Sequence, residues 1–208
     1  MTAVPAQPPR ASARHVVLLA GPSGAGKSRL AGRLGLPILQ LDDYYKDGDD
    51  PTLPRFASGA VDWDNEGSWN AEDALAGIRE LSVAGSTDAP VYDISANGRT
   101  GHRVVDAGAS TCFVAEGIFA AELVKACDAE GVLGAAICIR RSRWVTFVLR
   151  LTRDLREHRK PPLFLLRRGW WLARREPEIV AALVAKGCTA MTPREAEAYV
   201  TRLVHQPR

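Results

Sequence analysis

Apolar residues are concentrated in short runs, and these runs alternate with segments of helical periodicity or of polar, glycine-rich composition. The run at 14–20 is almost continuously apolar, which is typical of a parallel strand covered on both faces. Further runs predict strands at 36–41, 111–115 and 132–140. Because strands alternate with helices, the pattern predicts an α/β fold in which right-handed crossovers join parallel strands.

Helical periodicity fills most of the intervening segments. The predicted helices cover 28–34, 74–81 and 118–127, and helical patterning then runs from 141 almost to the end of the chain. Ser68 is the candidate N-cap of the second helix.

Two of the remaining segments do not have a helical pattern. Residues 47–67 are dense in Gly, Pro, Asp and Asn, which predicts a loop. Residues 90–94 are extended in character and are followed by a polar stretch, so a β-hairpin that returns through 103–105 is expected.

The turn after the first strand has the pattern G-x-x-x-x-G-K-[ST], which is typical of a phosphate-binding loop. Its residues are Gly21, Pro22, Ser23, Gly24, Ala25, Gly26, Lys27 and Ser28. Glycines let consecutive N–H groups point inward at the positive end of a helix, and Lys27 and Ser28 are placed for the terminal phosphates and their Mg²⁺. The alternative is a turn that merely joins a strand to a helix; the strand before it and the helix after it favour the phosphate site.

Composition and charge are those of a soluble globular protein. The chain has 208 residues, 46% of them hydrophobic and 25% charged, and a net charge of +3 that is too small to indicate nucleic acid. We predict a disordered tail over 1–13 and a single domain over 14–208. The sequence shows neither a signal-peptide core nor an apolar stretch of membrane-spanning length.

The four cysteines are widely spaced and do not form a C-x-x-C pair; they are Cys112, Cys127, Cys138 and Cys188. Most lie in apolar stretches, so we expect buried free thiols and a cytoplasmic location.

Carboxylates follow two of the predicted strands. Asp42 comes after the strand at 36–41, and Glu116 comes directly after the strand at 111–115. In a parallel sheet both strand ends open on the same edge as the phosphate-binding loop, where Asp42 can act as a base or hold a metal through water. The alternatives are a cap or turn role for Asp42 and a solvated turn position for Glu116.

Arginines are crowded in the region after the last predicted strand. Such cations can neutralise charge on a transferring phosphoryl group, although a solvated helix face paired with Asp154 and Glu157 would have the same composition. The basic and aromatic segment at 163–172 has two further interpretations, a membrane-surface helix or core packing, of which core packing is the commoner.

Six motifs, taken in this order and spacing, resemble the uridine kinases (uridine-cytidine kinases), which are P-loop small-molecule kinases. The resemblance covers about 15–160. Its motifs are the loop 21–28, Leu-Asp-Asp-Tyr-Tyr-Lys at 41–46, Asp-Trp-Asp at 62–64, Pro-Val-Tyr-Asp at 90–93, Glu-Gly-Ile at 116–118 and Arg-Asp at 153–154. With the strand pattern it implies a P-loop NTPase-type parallel sheet flanked by helices on both faces, a β-hairpin insertion within about 44–110 and a helical lid at 141–162.

The resemblance also implies roles for individual residues. Asp42 would be the catalytic carboxylate, and Ser28, Asp42 and Glu116 would surround Mg²⁺. Asp64 would bind the ribose hydroxyls.

Tyr45 and Tyr92 would border the base, and the lid would contribute Arg150, Arg153 and Arg159. Where the family has a base-reading histidine, this chain has Asn97, whose amide can both donate to and accept from a pyrimidine edge.

The resulting hypothesis is an ATP- or GTP-dependent, Mg²⁺-requiring kinase that phosphorylates the 5′-hydroxyl of a pyrimidine nucleoside. Its partner would be a small-molecule substrate, with no nucleic acid and no membrane; homo-oligomer formation is left open. The alternatives are a kinase for nicotinamide riboside, pantothenate or a sugar phosphate, and a nucleotide-dependent regulatory ATPase. The absence of an N/T-K-x-D guanine-reading motif disfavours the regulatory ATPase.

Overall fold

The computed structural model describes residues 14–22, 24–140 and 177–205. Within them five strands form one parallel sheet: β1 (His15–Ala20), β2 (Ile38–Gln40), β5 (Cys112–Glu116), β6 (Leu133–Ile139) and β7 (Thr189–Met191). Their order is β2-β5-β1-β6-β7, and every neighbouring pair is parallel. The predicted parallel sheet is therefore confirmed, with β1 at its centre.

Helices cover both faces of this sheet. Helices α1 (Lys27–Leu34) and α5 (Pro193–His205) share one buried cluster with Val17 and Leu19 of β1. A second buried cluster contains Val16 and Leu18 of β1. It is shared by α2 (Ala71–Val83), α3 (Val124–Ala129) and a helix at 177–185 (α4). Because alternate residues of β1 enter opposite clusters, its continuous apolar run is explained by burial on both faces.

An antiparallel hairpin lies outside the main sheet. It consists of β3 (Ser86–Asp93) and β4 (Gly98–Asp106), so both strands are longer than the predicted 90–94 and 103–105. The hairpin base is anchored in the core, since Thr87, Ala89 and Val105 are buried. Most residues of β4 are exposed, and several are polar, so a search for apolar runs detects only part of the strand.

Three details differ from the sequence prediction. Ser68 is buried and donates its hydroxyl to the carbonyl of Asn65 at 2.6 Å, while Asn70 is the N-cap residue of α2. The predicted helix at 118–127 is a 3₁₀-helix (Ala120–Leu123) followed by α3. Strand β7 was not predicted, because three residues are too few for a periodicity signal.

Several predicted features lie outside the described residues. They are the N-terminal tail at 1–13, Ser23 of the phosphate-binding loop, the lid at 141–162 with its Arg150, Arg153 and Arg159, the Arg-Asp motif at 153–154 and the basic, aromatic segment at 163–172.

Candidate functional site

The phosphate-binding loop joins the end of β1 to the start of α1, as the sequence predicts. Gly24 and Gly26 have φ values of +83° and +92°, a left-handed conformation that glycine adopts at the least cost. A Cβ atom on Gly21 would lie 2.8 Å from the carbonyl oxygen of Ile139, so a larger residue there would collide with β6. The loop therefore requires its glycines for both backbone conformation and close packing.

Lys27 is turned back over this loop. Its side chain is only 7% exposed, and its ammonium group donates a hydrogen bond to the carbonyl oxygen of Gly21 at 2.9 Å. A buried cation needs such partners, since its desolvation is otherwise costly. The result is a positive charge held across the loop between its first glycine and the start of α1.

Glu116 ends β5 beside the loop and is only 6% exposed. Burial raises the pKa of its carboxyl group, while a hydrogen bond with the Ser28 side chain and the charge of Lys27 oppose that rise. The negative charges of Asp42 and Asp43 raise the pKa further. The structure thus brings Lys27, Ser28, Glu116 and Asp42 into one electrostatic cluster.

Asp42 lies in a 3₁₀-helix (Leu41–Tyr44) that directly follows β2. Because β2 and β5 are parallel neighbours with Gln40 opposite Glu116, the segments that follow them meet. The Asp42 carboxylate Oδ1 accepts a hydrogen bond from the backbone N–H of Ile118 at 2.9 Å. A Cβ atom on Gly117 would lie 2.8 Å from the same oxygen, so the missing side chain of Gly117 makes this approach possible.

Ser28, Asp42 and Glu116 offer hydroxyl and carboxylate oxygens, which are donor types that magnesium accepts. No group of three or more His, Cys, Asp or Glu side chains suited to a metal is found among the described residues. Magnesium at phosphate sites is usually held by one or two carboxylates together with substrate phosphates, and hydroxyl and carboxylate oxygens are suitable donors. The donor set therefore suits a metal that arrives with its nucleotide.

A group of aromatic rings lies near Asp42. The ring of Tyr45 is 5.8 Å from that of Trp63, and 5.9 Å from those of Tyr92 and Phe119, measured between centroids. The Tyr45 hydroxyl donates to the carbonyl of Trp63 at 3.1 Å. Burial raises the pKa of Tyr45, and the charges of Asp42 and Asp64 raise it further, so this phenol stays neutral.

Asp64 and Asn97 occupy two different loops, and the charge of Asp64 acts on Tyr45. Asp64 is exposed, and its backbone N–H donates to Asp62 Oδ1 at 3.3 Å. Asn97 lies at the hairpin turn with φ of +53°, and its backbone carbonyl accepts from the N–H of Gly48 at 2.8 Å. The Asn97 amide packs against Gly48, where any Cβ atom would overlap it. Asn97 therefore has a structural contact in the turn besides its predicted contact with a substrate.

Sequence reasoning did not assign roles to two charged residues of this region. Asp43 accepts hydrogen bonds from Arg103 Nη2 at 3.0 Å and from the Tyr92 N–H at 3.3 Å. Burial raises the pKa of Asp43, the Tyr92 N–H and the Arg103 charge lower it, and the Asp42 charge raises it. The available signal was the pair of adjacent aspartates at 42 and 43. The sequence does not show that the first contacts the backbone after β5 and that the second holds the hairpin.

Two further predictions concern the chain as a whole. The four cysteines are free and buried, as expected. Within the described ranges no helix is both long and apolar enough to cross a bilayer.

Comparison with protein-family models finds no match. A curated relative, the Arabidopsis thaliana protein named inorganic pyrophosphatase TTM2, is 28% identical over 117 residues, which is 50% of this chain. The match takes up 15% of the relative's own length.

Solved structures share the architecture at low sequence identity. A candidate fructose transport system kinase from Silicibacter has a TM-score of 0.58 and 16% identity, over 85% of this chain and 88% of its own. A candidate uridine kinase from Bacillus stearothermophilus has a TM-score of 0.47 and 19% identity, over 66% of this chain and 77% of its own. A D-glycerate 3-kinase from Cryptococcus neoformans has a TM-score of 0.45 and 15% identity, over 85% and 81%. The first of these shows that the chain has the same mostly parallel, helix-flanked fold.

Proposed function

We propose that this protein is a small-molecule kinase that transfers the γ-phosphoryl group of ATP or GTP to an alcohol, with a pyrimidine nucleoside as the favoured acceptor. One observation carries the proposal: Lys27, Ser28, Glu116 and Asp42 meet where β1, β5 and β2 end. Phosphoryl transfer depends on a phosphate cradle, a metal site and a group that orients the attacking hydroxyl, and this cluster offers candidates for all three.

Each member of the cluster has a distinct proposed role. Lys27 exchanges its bond to the Gly21 carbonyl for the terminal phosphates and offsets their charge. Ser28, Glu116 and Asp42 would hold the Mg²⁺ that accompanies the nucleotide, and this metal would supply positive charge at the phosphates. Asp42 also accepts the proton of the acceptor hydroxyl. Its hydrogen bond from the Ile118 N–H holds the carboxylate in a fixed position for this role.

The acceptor is proposed to bind on the aromatic side of Asp42. Tyr45 and Tyr92 offer ring faces for a planar base. Asp64, whose charge acts on Tyr45, is proposed to bind the ribose hydroxyls. Asn97 is proposed to reach the base edge from the hairpin turn. Arg150, Arg153 and Arg159 are proposed to close over the phosphates from the lid.

Charge in this region favours an acceptor without a negative group. Asp42 and Asp64 are both near Tyr45, whereas Arg103 is paired with Asp43 and Arg99 with Asp47. A phosphate or carboxylate on the acceptor would face carboxylates and arginines already engaged in ion pairs. A neutral nucleoside therefore fits better than a sugar phosphate or pantothenate, and nicotinamide riboside is the cationic competitor.

The direct test is product formation from labelled ATP with uridine and cytidine as acceptors. Parallel reactions contain nicotinamide riboside, pantothenate or a sugar phosphate. We expect a labelled nucleoside monophosphate and little turnover of the anionic acceptors. If ATP binds but neither uridine nor cytidine is phosphorylated, the nucleoside assignment is wrong.

Two control reactions address other functions. Pyrophosphate alone tests the activity that the name of the curated relative suggests, and ATP without acceptor tests a regulatory ATPase. Slow ATP hydrolysis that no small alcohol changes would favour the regulatory function over the kinase.

A further inference from the structure

Asp43 connects two parts of the candidate site that are far apart in sequence. Its carboxylate is 14% exposed and binds both strands of the hairpin: Oδ2 accepts from Arg103 of β4, and Oδ1 accepts from the Tyr92 N–H of β3. The same residue is the chain neighbour of Asp42 in the 3₁₀-helix. One short helix therefore carries both the proposed base and the attachment point of the hairpin.

The contact with Tyr92 occurs at an irregularity of the hairpin. The strand pairing shifts register between Val91, which is opposite Gly101, and Tyr92, which is opposite Arg99, so that Thr100 of β4 is the extra residue of a bulge. The Tyr92 N–H donates to Asp43 at 3.3 Å. Asp43 thus holds β3 at the point where the strand ladder is interrupted. The ring of Tyr92, at the same position, lies 5.9 Å from the ring of Tyr45, measured between centroids.

Arg103 is also fixed at this point. Its Nε atom is buried and has no hydrogen-bond partner among the described residues, so Asp43 is the partner that keeps its guanidinium in place. The base of the hairpin is held separately by core packing, through Thr87, Ala89 and Val105. The turn end of β4 is held by Asp47, which accepts from the Arg99 N–H at 2.7 Å and pairs with its guanidinium. Loss of Asp43 would therefore loosen β3 at Tyr92, between these two anchors, without unfolding the hairpin base.

We infer that Asp43 is a positioning residue that sets the acceptor-binding wall relative to Asp42 by holding Tyr92 and Arg103. This inference rests on the proposed function, because the wall matters only if an acceptor binds there. A preorganised wall lowers the cost of ordering on binding, so its loosening weakens binding of the acceptor. The residues proposed to bind ATP are a different set, so we expect ATP binding to be unaffected.

The test compares steady-state kinetics of the wild type with Asp43→Asn, Arg103→Gln and the double variant. Asp88→Asn is the matched control, because Asp88 is an exposed carboxylate of the same hairpin that pairs only with His102 among the described residues. We expect Asp43→Asn to raise the acceptor KM about tenfold, while the ATP KM and kcat stay within about twofold. The double variant should be no worse than either single variant, since the pair acts as a unit.

Equal acceptor KM values in the wild type and Asp43→Asn would overturn the inference, as would a fall in kcat alone. If Asp43→Asn does not fold, Arg103→Lys replaces it and should raise the acceptor KM to a smaller extent.

A second measurement does not depend on turnover. Hydrogen exchange at the Tyr92 amide should be faster in Asp43→Asn than in the wild type and unchanged in Asp88→Asn. Faster exchange in a protein that phosphorylates no acceptor would refute the proposed function while supporting the anchoring role. Unchanged exchange would refute the anchoring role whatever the protein phosphorylates.

Discussion

The proposed phosphate side and the proposed acceptor side of the candidate site are built in different ways. The phosphate side is local: residues 21–28 follow one strand, and glycine backbone conformations shape it. The acceptor side is assembled from the 3₁₀-helix after β2, the loop before α2 and the hairpin, which contact one another through side chains. A local backbone site can be recognised in sequence, whereas a site made by long-range side-chain contacts must be seen in three dimensions.

The two sides meet in four consecutive residues. Asp42 binds the backbone after β5, and Asp43 holds the hairpin. Tyr44 packs its hydroxyl against Gly77 of α2, and Tyr45 joins the aromatic group. Each side chain of this short segment contacts a different element, so changes there should separate catalysis from acceptor binding.

The largest effect is expected for Asp42→Asn, which tests the junction itself. The amide can still accept the Ile118 N–H but cannot take up a proton, so turnover should fall by about 10²–10⁴-fold. Binding of ATP, measured by thermal shift without Mg²⁺, should be retained because the loop is unchanged. Asp49→Asn, in the exposed loop that follows, is the matched control. Wild-type turnover in Asp42→Asn would refute the role given to Asp42.

The next effect tests the phosphate side alone. Lys27→Ala removes the charge held over the loop and should lower phosphoryl transfer by about 10²–10³-fold. The acceptor KM should change little, since the aromatic side is untouched. Lys46→Ala, which removes an ammonium bonded to Thr52, serves as the control. If Lys27→Ala reacts at the wild-type rate, the loop does not act on the transferred phosphate.

The sequence predicted the phosphate side more fully than the acceptor side. The loop at 21–28 and the apolar strand β1 follow from glycine placement and burial, and both are found in the structure. Strand β7 was too short to detect, and the hairpin was underestimated because β4 exposes most of its residues. The partnership of Asp43 and Arg103 spans 60 residues, and no local pattern encodes a contact at that separation.

A smaller loss of kcat is expected for Gly117→Ala, which tests whether catalysis depends on the position of the Asp42 carboxylate. The added Cβ of Gly117→Ala would lie 2.8 Å from Asp42 Oδ1 and 2.8 Å from the Cβ of Leu41, so the carboxylate must move. A displacement near 1 Å can cost about 10²-fold in rate, and we expect a kcat loss of about ten- to a hundredfold.

Gly32→Ala is the control for this change, because a Cβ atom at that helical position meets nothing within 4 Å. It should leave kcat unchanged and stabilise the protein by about 0.5–1 kcal/mol, which is the helix preference of Ala over Gly. A Gly117→Ala variant with wild-type kcat would show that Asp42 does not need its present position.

The smallest expected effect is a shift in melting temperature. It tests whether the buried carboxylate of Glu116 serves to bind a ligand and lowers the stability of the ligand-free protein. The pKa of Glu116 is raised mainly by burial. At pH values between the ordinary carboxyl pKa of about 4.3 and this raised pKa, the folded state therefore binds more protons than the unfolded state. Stability contributed by the neutral form is therefore lost as pH rises through that window. Glu116→Gln removes the buried charge while keeping an acceptor for Ser28.

At pH 7 the ligand-free Glu116→Gln protein should melt about 2–4 °C above the wild type, the shift that about 1 kcal/mol produces in a domain of this size. The difference should disappear below about pH 4, where both side chains are neutral. Addition of ATP with Mg²⁺ should raise the wild-type melting temperature more than that of the variant, since the variant lacks one metal ligand. Equal ligand-induced shifts would mean that Glu116 takes no part in holding the metal. A lower melting temperature for the variant at pH 7 would mean that the ionised carboxylate stabilises the fold, which its burial argues against.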